Sequence, residues 1–206
     1  MNLKKLFQYG FIAACLFGST LAMEDDSDKL LVVGCKPWDL NIQMVSGLET
    51  AHFVDRMLQG APEVISPKFH HLDLNDTGIH AAGKFSEFAI SNPETFNTII
   101  IDWMTYHHIG ENNINNDNVN PAWESFATLL KTAGQLIVPV TLWTPPGSAK
   151  RAQEVIDRNK LTTLFSAVDI RTHDAIPLGT CFDLLHRPGI GDCALSSNPA
   201  IIIATK

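Results

Sequence analysis

The chain has 206 residues, 45% of them hydrophobic and 18% charged, and a formal net charge of −7. That length holds one α/β domain with a sizeable core, and that balance excludes a disordered chain. No stretch of three consecutive Lys or Arg residues occurs, so the basic patch of a nucleic-acid-binding domain is absent and a polyanionic partner is not expected.

The amino-terminal segment reads as a secretory signal. Lys4 and Lys5 precede an apolar stretch over residues 6–21, the small residues Ser19, Thr20 and Ala22 end it, and Glu24, Asp25, Asp26 and Asp28 follow. This order predicts export, periplasmic or secreted, with cleavage near Ala22. It divides the chain into a signal over residues 1–22, an acidic lead-in over 23–29 and a domain over 30–206. Lipoprotein anchoring through Cys15 is the weaker reading, because the apolar run continues past it. No later segment approaches the length of a membrane span. Of the other cysteines, Cys181 and Cys193 flank the turn Pro188-Gly189-Ile190-Gly191. A disulfide between them, worth about 3 kcal/mol, and two free thiols are both open. Cys35 is left single, and no CxxC pair supports a zinc ribbon or a thioredoxin-type site.

Leu30-Leu31-Val32-Val33 predicts the first strand, and Gly34 ends it with backbone freedom. Over residues 41–59 the positions Ile42, Val45, Leu48, Phe53, Met57 and Leu58 approximate helical spacing, which predicts a helix stopped by Gly60-Ala61-Pro62. Residues 68–74 predict a strand that includes His70 and His71 and runs into a turn-rich segment ending at Gly78. Residues 81–91 predict a short amphipathic helix carrying Phe85, Phe88 and Ile90, broken by Asn92-Pro93.

The next stretch organises the chain. The run Thr98-Ile99-Ile100-Ile101 lacks polar alternation and ends in Asp102-Trp103. Such a run suits a strand buried on both faces, as in a parallel sheet, and places Asp102 at the carboxyl end, where open α/β sheets bind ligands. An Asn-rich loop over residues 110–120 follows. Asn120 is the expected cap and Pro121 the first residue of a helix over 121–132 that buries Trp123, Phe126, Leu129 and Leu130, with Gly134 closing it. Residues 135–142 predict a strand in which Pro139 argues against a central place. A helix over 148–159 and two antiparallel strands, residues 176–185 and 200–205, complete the chain.

Four pieces carry a family resemblance: Phe96-Asn97-Thr98-Ile99, His107-His108-Ile109, Leu129-Leu130-Lys131-Thr132-Ala133-Gly134 and the strand beginning at Gln135. Together they resemble the class I S-adenosylmethionine-dependent methyltransferase family. The resemblance implies a three-layer α-β-α Rossmann-like sheet, mostly parallel, with an antiparallel C-terminal strand pair. It also implies S-adenosylmethionine as cofactor and methyl transfer to an acceptor. Two departures stand out. The family's Gly-x-Gly-x-Gly loop is here Gly34-Cys35-Lys36-Pro37-Trp38, with one glycine, and the Asp of Phe-Asp-x-Val is Asn97.

On this resemblance Gly34, Cys35 and Lys36 lie where the methionine part of the cofactor is held. Asp73, with Leu74 beside it, ends a strand and is assigned to ribose hydroxyls; a turn aspartate is the alternative. Asp102 can bind an ammonium group and Trp103 can stack on a flat ring, the alternative for Trp103 being core packing. No catalytic base is defined; position alone points to Tyr106 or His107. The pairs His70-His71 and His107-His108 raise a metal-dependent hydrolase as a further reading. Neighbouring residues on a strand face opposite ways, so each pair is a poor chelate and no metal ligands are assigned. An exported non-catalytic domain that binds a small molecule or a protein is the remaining reading.

Overall fold

A computed structural model describes residues 29–34, 36, 51–63, 65–101, 105, 109, 120–140, 148–172 and 200–206. The strands are β1 (Leu30–Val33), β2 (His52–Asp55), β3 (Phe69–Asp73), β4 (Gly83–Lys84), β5 (Phe96–Ile101), β6 (Leu130–Val140), β7 (Ala167–Thr172) and β8 (Ala200–Thr205). The helices are α1 (Phe85–Ser91), α2 (Ala122–Leu129), α3 (Ser148–Arg158) and α4 (Leu161–Leu164), with a 3-10 turn at Ile79–Ala81. The strands form one sheet in the order β4-β3-β2-β1-β5-β6-β8-β7. Every neighbouring pair from β4 to β6 is parallel, and β8 runs antiparallel to both β6 and β7. The architecture is therefore the mostly parallel Rossmann-like sheet with an antiparallel C-terminal pair that the sequence predicts.

Consecutive buried residues explain why the centre of the sheet is parallel. Ile99, Ile100 and Ile101 are all at most 1% exposed, and Leu31, Val32 and Val33 at most 3%. Neighbours on a strand point to opposite faces, so both faces of β1 and β5 are covered. On one face Leu31, Ile99, Leu136, Val138 and Ile202 join Phe85 of α1 and Trp123 and Phe126 of α2 in the main core. Phe126 lies with its ring centroid 5.2 Å from Phe85 and 5.9 Å from Trp123. No described helix is long and apolar enough to cross a membrane.

Several local expectations are corrected. The helix expected over residues 41–59 gives way at its carboxyl end to β2, while residues 37–50 lie outside the described set. Phe53 and Val54 are buried as neighbours on a strand, and their apparent helical spacing with Met57 is a coincidence of a short apolar run. The connection from β2 to β3 holds no helix among its described residues, a shortened β/α unit. In α1, Phe85 and Ala89 are buried but Ile90 is 75% exposed.

The helix expected over 121–132 ends at Leu129, and Leu130 already pairs with Phe96. It starts at Ala122, one residue later than expected, with Pro121 at the cap position, and Asn120 Oδ1 accepts from Ala122 N at 2.9 Å. Gly134 lies inside β6 rather than closing the helix. The register between β5 and β6 shifts there, from Phe96↔Leu130 to Thr98↔Gln135, and Ala133 has φ of 64°. A Cβ at Gly134 would stand 2.9 Å from the Lys131 carbonyl and 3.1 Å from the Asn97 carbonyl, so only glycine lets the irregular strand close on β5. Pro139 does occupy an interior strand. Among the described residues the ladder to β5 runs to Ile137, and Pro139 pairs with Ile201 of β8.

The partner of β8 is Ala167–Thr172; residues 176–185 lie outside the described set. Val168 and Ile170 alternate with Asp169 and Arg171. That period of two marks a half-covered edge strand, which a search for continuous apolar runs passes over. Asn97, the departure from the family's Asp, anchors the sheet's beginning: its Oδ1 accepts from Lys29 N at 3.3 Å, and its own N donates to the Lys29 carbonyl at 3.0 Å.

Candidate functional site

The parallel strands end together, and a cleft opens where they do. It is lined by Gly34 after β1, by Val54, Asp55 and Arg56 at the end of β2, by residues 72–75 at the end of β3, and by Thr105 and Ile109 after β5. Strand order reverses between β1 and β5: the chain moves outward through β2 and β3, then returns to the other side of β1. The carboxyl edge at such a reversal is the general ligand site of open α/β sheets.

Gly34 makes the first wall. Its φ is 83°, a left-handed conformation that glycine adopts without steric cost, and its N donates to the Val54 carbonyl at 2.7 Å. The β1 turn is thereby tied to the end of β2.

Asp55 makes the second. It ends β2 about 20 residues after Gly34, the separation at which an acid meets a ribose in dinucleotide sites. Its Oδ1 accepts from Met57 N at 2.7 Å. The sequence reading missed Asp55 because it placed the residue on a helix. The usable signal was the string Ala51-His52-Phe53-Val54-Asp55, an apolar run ending in an acid, the same pattern as Ile99-Ile100-Ile101-Asp102.

Asp73 makes the third, and its carboxylate works inward. The side chain is 1% exposed. Oδ1 accepts from Asn75 N at 3.1 Å, and Oδ2 from Thr77 N at 2.9 Å and from the Thr77 hydroxyl. Burial pushes this carboxyl up, but those three donors and the charge of Arg56 outweigh burial and hold it below its ordinary value. The ionised Asp73 thus shapes the loop that presents Leu74 and Asn75 to the cleft. Asn75 is braced from a distance, its Oδ1 accepting from Asn120 Nδ2 at 2.8 Å.

Of the residues the sequence assigns to cofactor binding, the structure brings Gly34, Asp73 and Leu74 to one cleft. Lys36 is not among the lining residues; its Nζ donates to the Gln59 carbonyl at 3.0 Å. Cys35, Asp102 and Trp103 lie outside the described residues, as do Tyr106, His107, His108 and all four cysteines. Among the described residues no three His, Cys, Asp or Glu side chains gather as a metal site would require. His70 and His71 do face opposite ways. His70 contacts His52 on the helix-covered face, and His71 Nε2 donates to the Arg56 carbonyl at 3.0 Å on the other.

Strand order, parallel direction and the antiparallel β8 together define the class I S-adenosylmethionine-dependent methyltransferase fold. The 16S rRNA (adenine(1408)-N(1))-methyltransferase from Catenulisporales acidiphilia superposes with a TM-score of 0.51 at 11% identity, over 87% of each chain. A SAM dependent methyltransferase from Archaeoglobus fulgidus aligns over 100% of both chains at 11% identity and TM-score 0.46. A putative S-adenosylmethionine dependent methyltransferase from Listeria monocytogenes aligns over 87% of this chain and 91% of its own, at 16% identity and TM-score 0.44. No family model and no curated protein matches the sequence. At these identities the likeness is one of fold.

Proposed function

We propose that the cleft binds S-adenosylmethionine and that the protein acts as a methyltransferase on an acceptor yet to be found. The observation that carries this reading is the convergence of Gly34, Asp55 and the Asp73 loop at the carboxyl edge where strand order reverses. Each has a distinct task. The Gly34 turn offers backbone without a side chain, so a ligand can approach closely. Asp55 accepts from the ribose hydroxyls, the role the sequence reading gave to Asp73, whose oxygens serve its own loop. Leu72, Leu74 and Val54 offer apolar surface to a purine ring, and Asn75 offers an amide at its edge. Methyl transfer relies chiefly on holding donor and acceptor in line, so a binding cleft of this kind is most of the machinery.

Titration calorimetry with S-adenosylhomocysteine tests the proposal. Binding is expected to wild type, and Asp55→Ala is expected to weaken it by about 10- to 100-fold, the loss of hydrogen bonds to a charged group. No heat and no thermal shift at millimolar ligand would remove the reading.

The loop Gly34-Cys35-Lys36-Pro37-Trp38 supports a second one, because it holds one glycine where the family has three. In it the domain is exported on the signal-like residues 1–22 and binds an adenosyl ligand or a protein without catalysis. Methyl release from labelled S-adenosylmethionine across a panel of acceptors separates the two: binding without transfer to any of them favours the second.

A further inference from the structure

Histidines stitch β3 to β2 on both faces. On the helix-covered face His52 Nδ1 and His70 Nε2 are 3.0 Å apart, with ring planes within 4° of parallel. Phe96 of β5 meets the His52 ring edge-on at 5.4 Å, and Phe88 of α1 lies 4.6 Å from the His70 ring, centroid to centroid. On the opposite face His71 holds the Arg56 carbonyl. Backbone pairing between these strands covers only Phe53↔Phe69, Val54↔His70 and Asp55↔His71. The side-chain stitches add to that short ladder, in which Phe53 N also donates to the Lys68 carbonyl at 2.8 Å.

A contact of 3.0 Å between two ring nitrogens holds one proton, with one nitrogen donating and the other accepting. A first added proton, on an outward nitrogen, leaves that bond intact. A second places N–H groups on both facing nitrogens, and the contact is lost. No carboxylate is among the charged groups acting on either ring. Lys68, just before β3, and Lys29, just before β1, are the charged groups acting on His52; His52 itself acts on His70. The rings of Phe88 and Phe96 also touch the pair. Burial, then those cations, lowers the His52 imidazole from its ordinary value of 6.5, and burial with His52 beside it takes His70 down to about 4. The pair is uncharged and closed at neutral pH.

We infer that the His52–His70 pair is an acid-sensitive clasp: protonation of both rings frees β3 from β2, shifts Asp55 relative to the Asp73 loop, and opens the ligand cleft carried at the far ends of the same two strands. The clasp stands on the strand geometry alone. Its effect on ligand rests on the adenosyl reading of the cleft.

Amide hydrogen exchange, corrected for the intrinsic pH dependence, reads the clasp directly. Protection of Phe69–Asp73 is expected to fall at least about ten-fold between pH 7 and pH 4.5, while Phe96–Ile101 keeps its protection. In His52→Phe and His70→Phe the selective fall is expected to disappear. A parallel change in both strands, or the same fall in both variants, overturns the inference. If the variants do not fold, proton NMR of the wild-type imidazoles decides it: two rings titrating independently near 6.5 overturn the clasp, and two depressed, mutually dependent titrations support it. The ligand arm uses S-adenosylhomocysteine, whose affinity is expected to fall about two-fold from pH 7 to pH 4 in wild type beyond any change in His52→Phe over the same range; equal changes in the two overturn the ligand effect. Absence of binding at pH 7 would remove the adenosyl reading and leave the exchange result to decide the clasp.

Discussion

The two halves of the sheet are built on different chemistry. From β5 through β6 to β8 the strands are long and dry: Ile99, Ile100, Ile101, Leu136, Val138, Ile202 and Ala204 are at most 1% exposed. From β2 to β4 the strands have four, five and two residues and carry His52, His70, His71, Asp55 and Asp73. The first half draws its stability from apolar area and close packing, the second from directed bonds among polar groups that burial makes costly to leave unpaired. The cleft lies toward the second half. A ligand site needs polar groups that hold position, and the dry half provides the fixed frame against which they are held.

Substitutions test that contrast. The largest effect is expected in the dry half. Phe126→Ala, deleting a fully buried ring between Phe85 and Trp123, should cost about 3–5 kcal/mol in urea unfolding, independent of pH. A loss of under about 1 kcal/mol would mean that the core relaxes and the contrast is weaker than drawn. Asp73→Ala comes next, at about 1–3 kcal/mol, because the N–H groups of Asn75 and Thr77 lose their acceptor. This cost should depend on pH with a definite sign. The folded carboxyl is held below its ordinary value, so its contribution is present above about pH 4 and lost as pH falls through the folded value. The stability difference between wild type and variant should therefore narrow in strong acid, and a constant difference down to pH 2 would show that the loop does not depend on the ionised form. The smallest effect is expected at Ile90, three-quarters exposed at the end of α1. Ile90→Ser should change stability by under about 0.5 kcal/mol; a larger loss would show that this face is covered in solution.

The same contrast explains what could be read from the sequence. Dry strands announce themselves: Ile99-Ile100-Ile101 and Leu31-Val32-Val33 have no polar interruption, and both are where the reading puts them. The polar half is harder. In β2 the buried pair Phe53-Val54, flanked by His52 and Asp55, spans four residues, too few to separate a strand from one turn of helix, and the acid at its end went unassigned. β7 alternates and is partly exposed, so it lacks the continuous run that marks its neighbours. Gly134 looks like a helix stop because glycine often is one; here the demand is a close approach of two strands, which depends on a backbone irregularity no residue pattern specifies. At the site, Gly34 and Asp73 were legible because turn chemistry is local. The tie from Asn120 to Asn75 was not, since it joins segments 45 residues apart.

The placing of β8 between β6 and β7 has a consequence for synthesis. β7 emerges from the ribosome before β8, and β8 is its neighbour in the sheet. Until residues 200–205 are made, β6 and β7 lack the strand that joins them, and among the described residues β7 has its packing against α3 and α4. Joining these two parts of the sheet therefore depends on β8 inserting between strands made earlier.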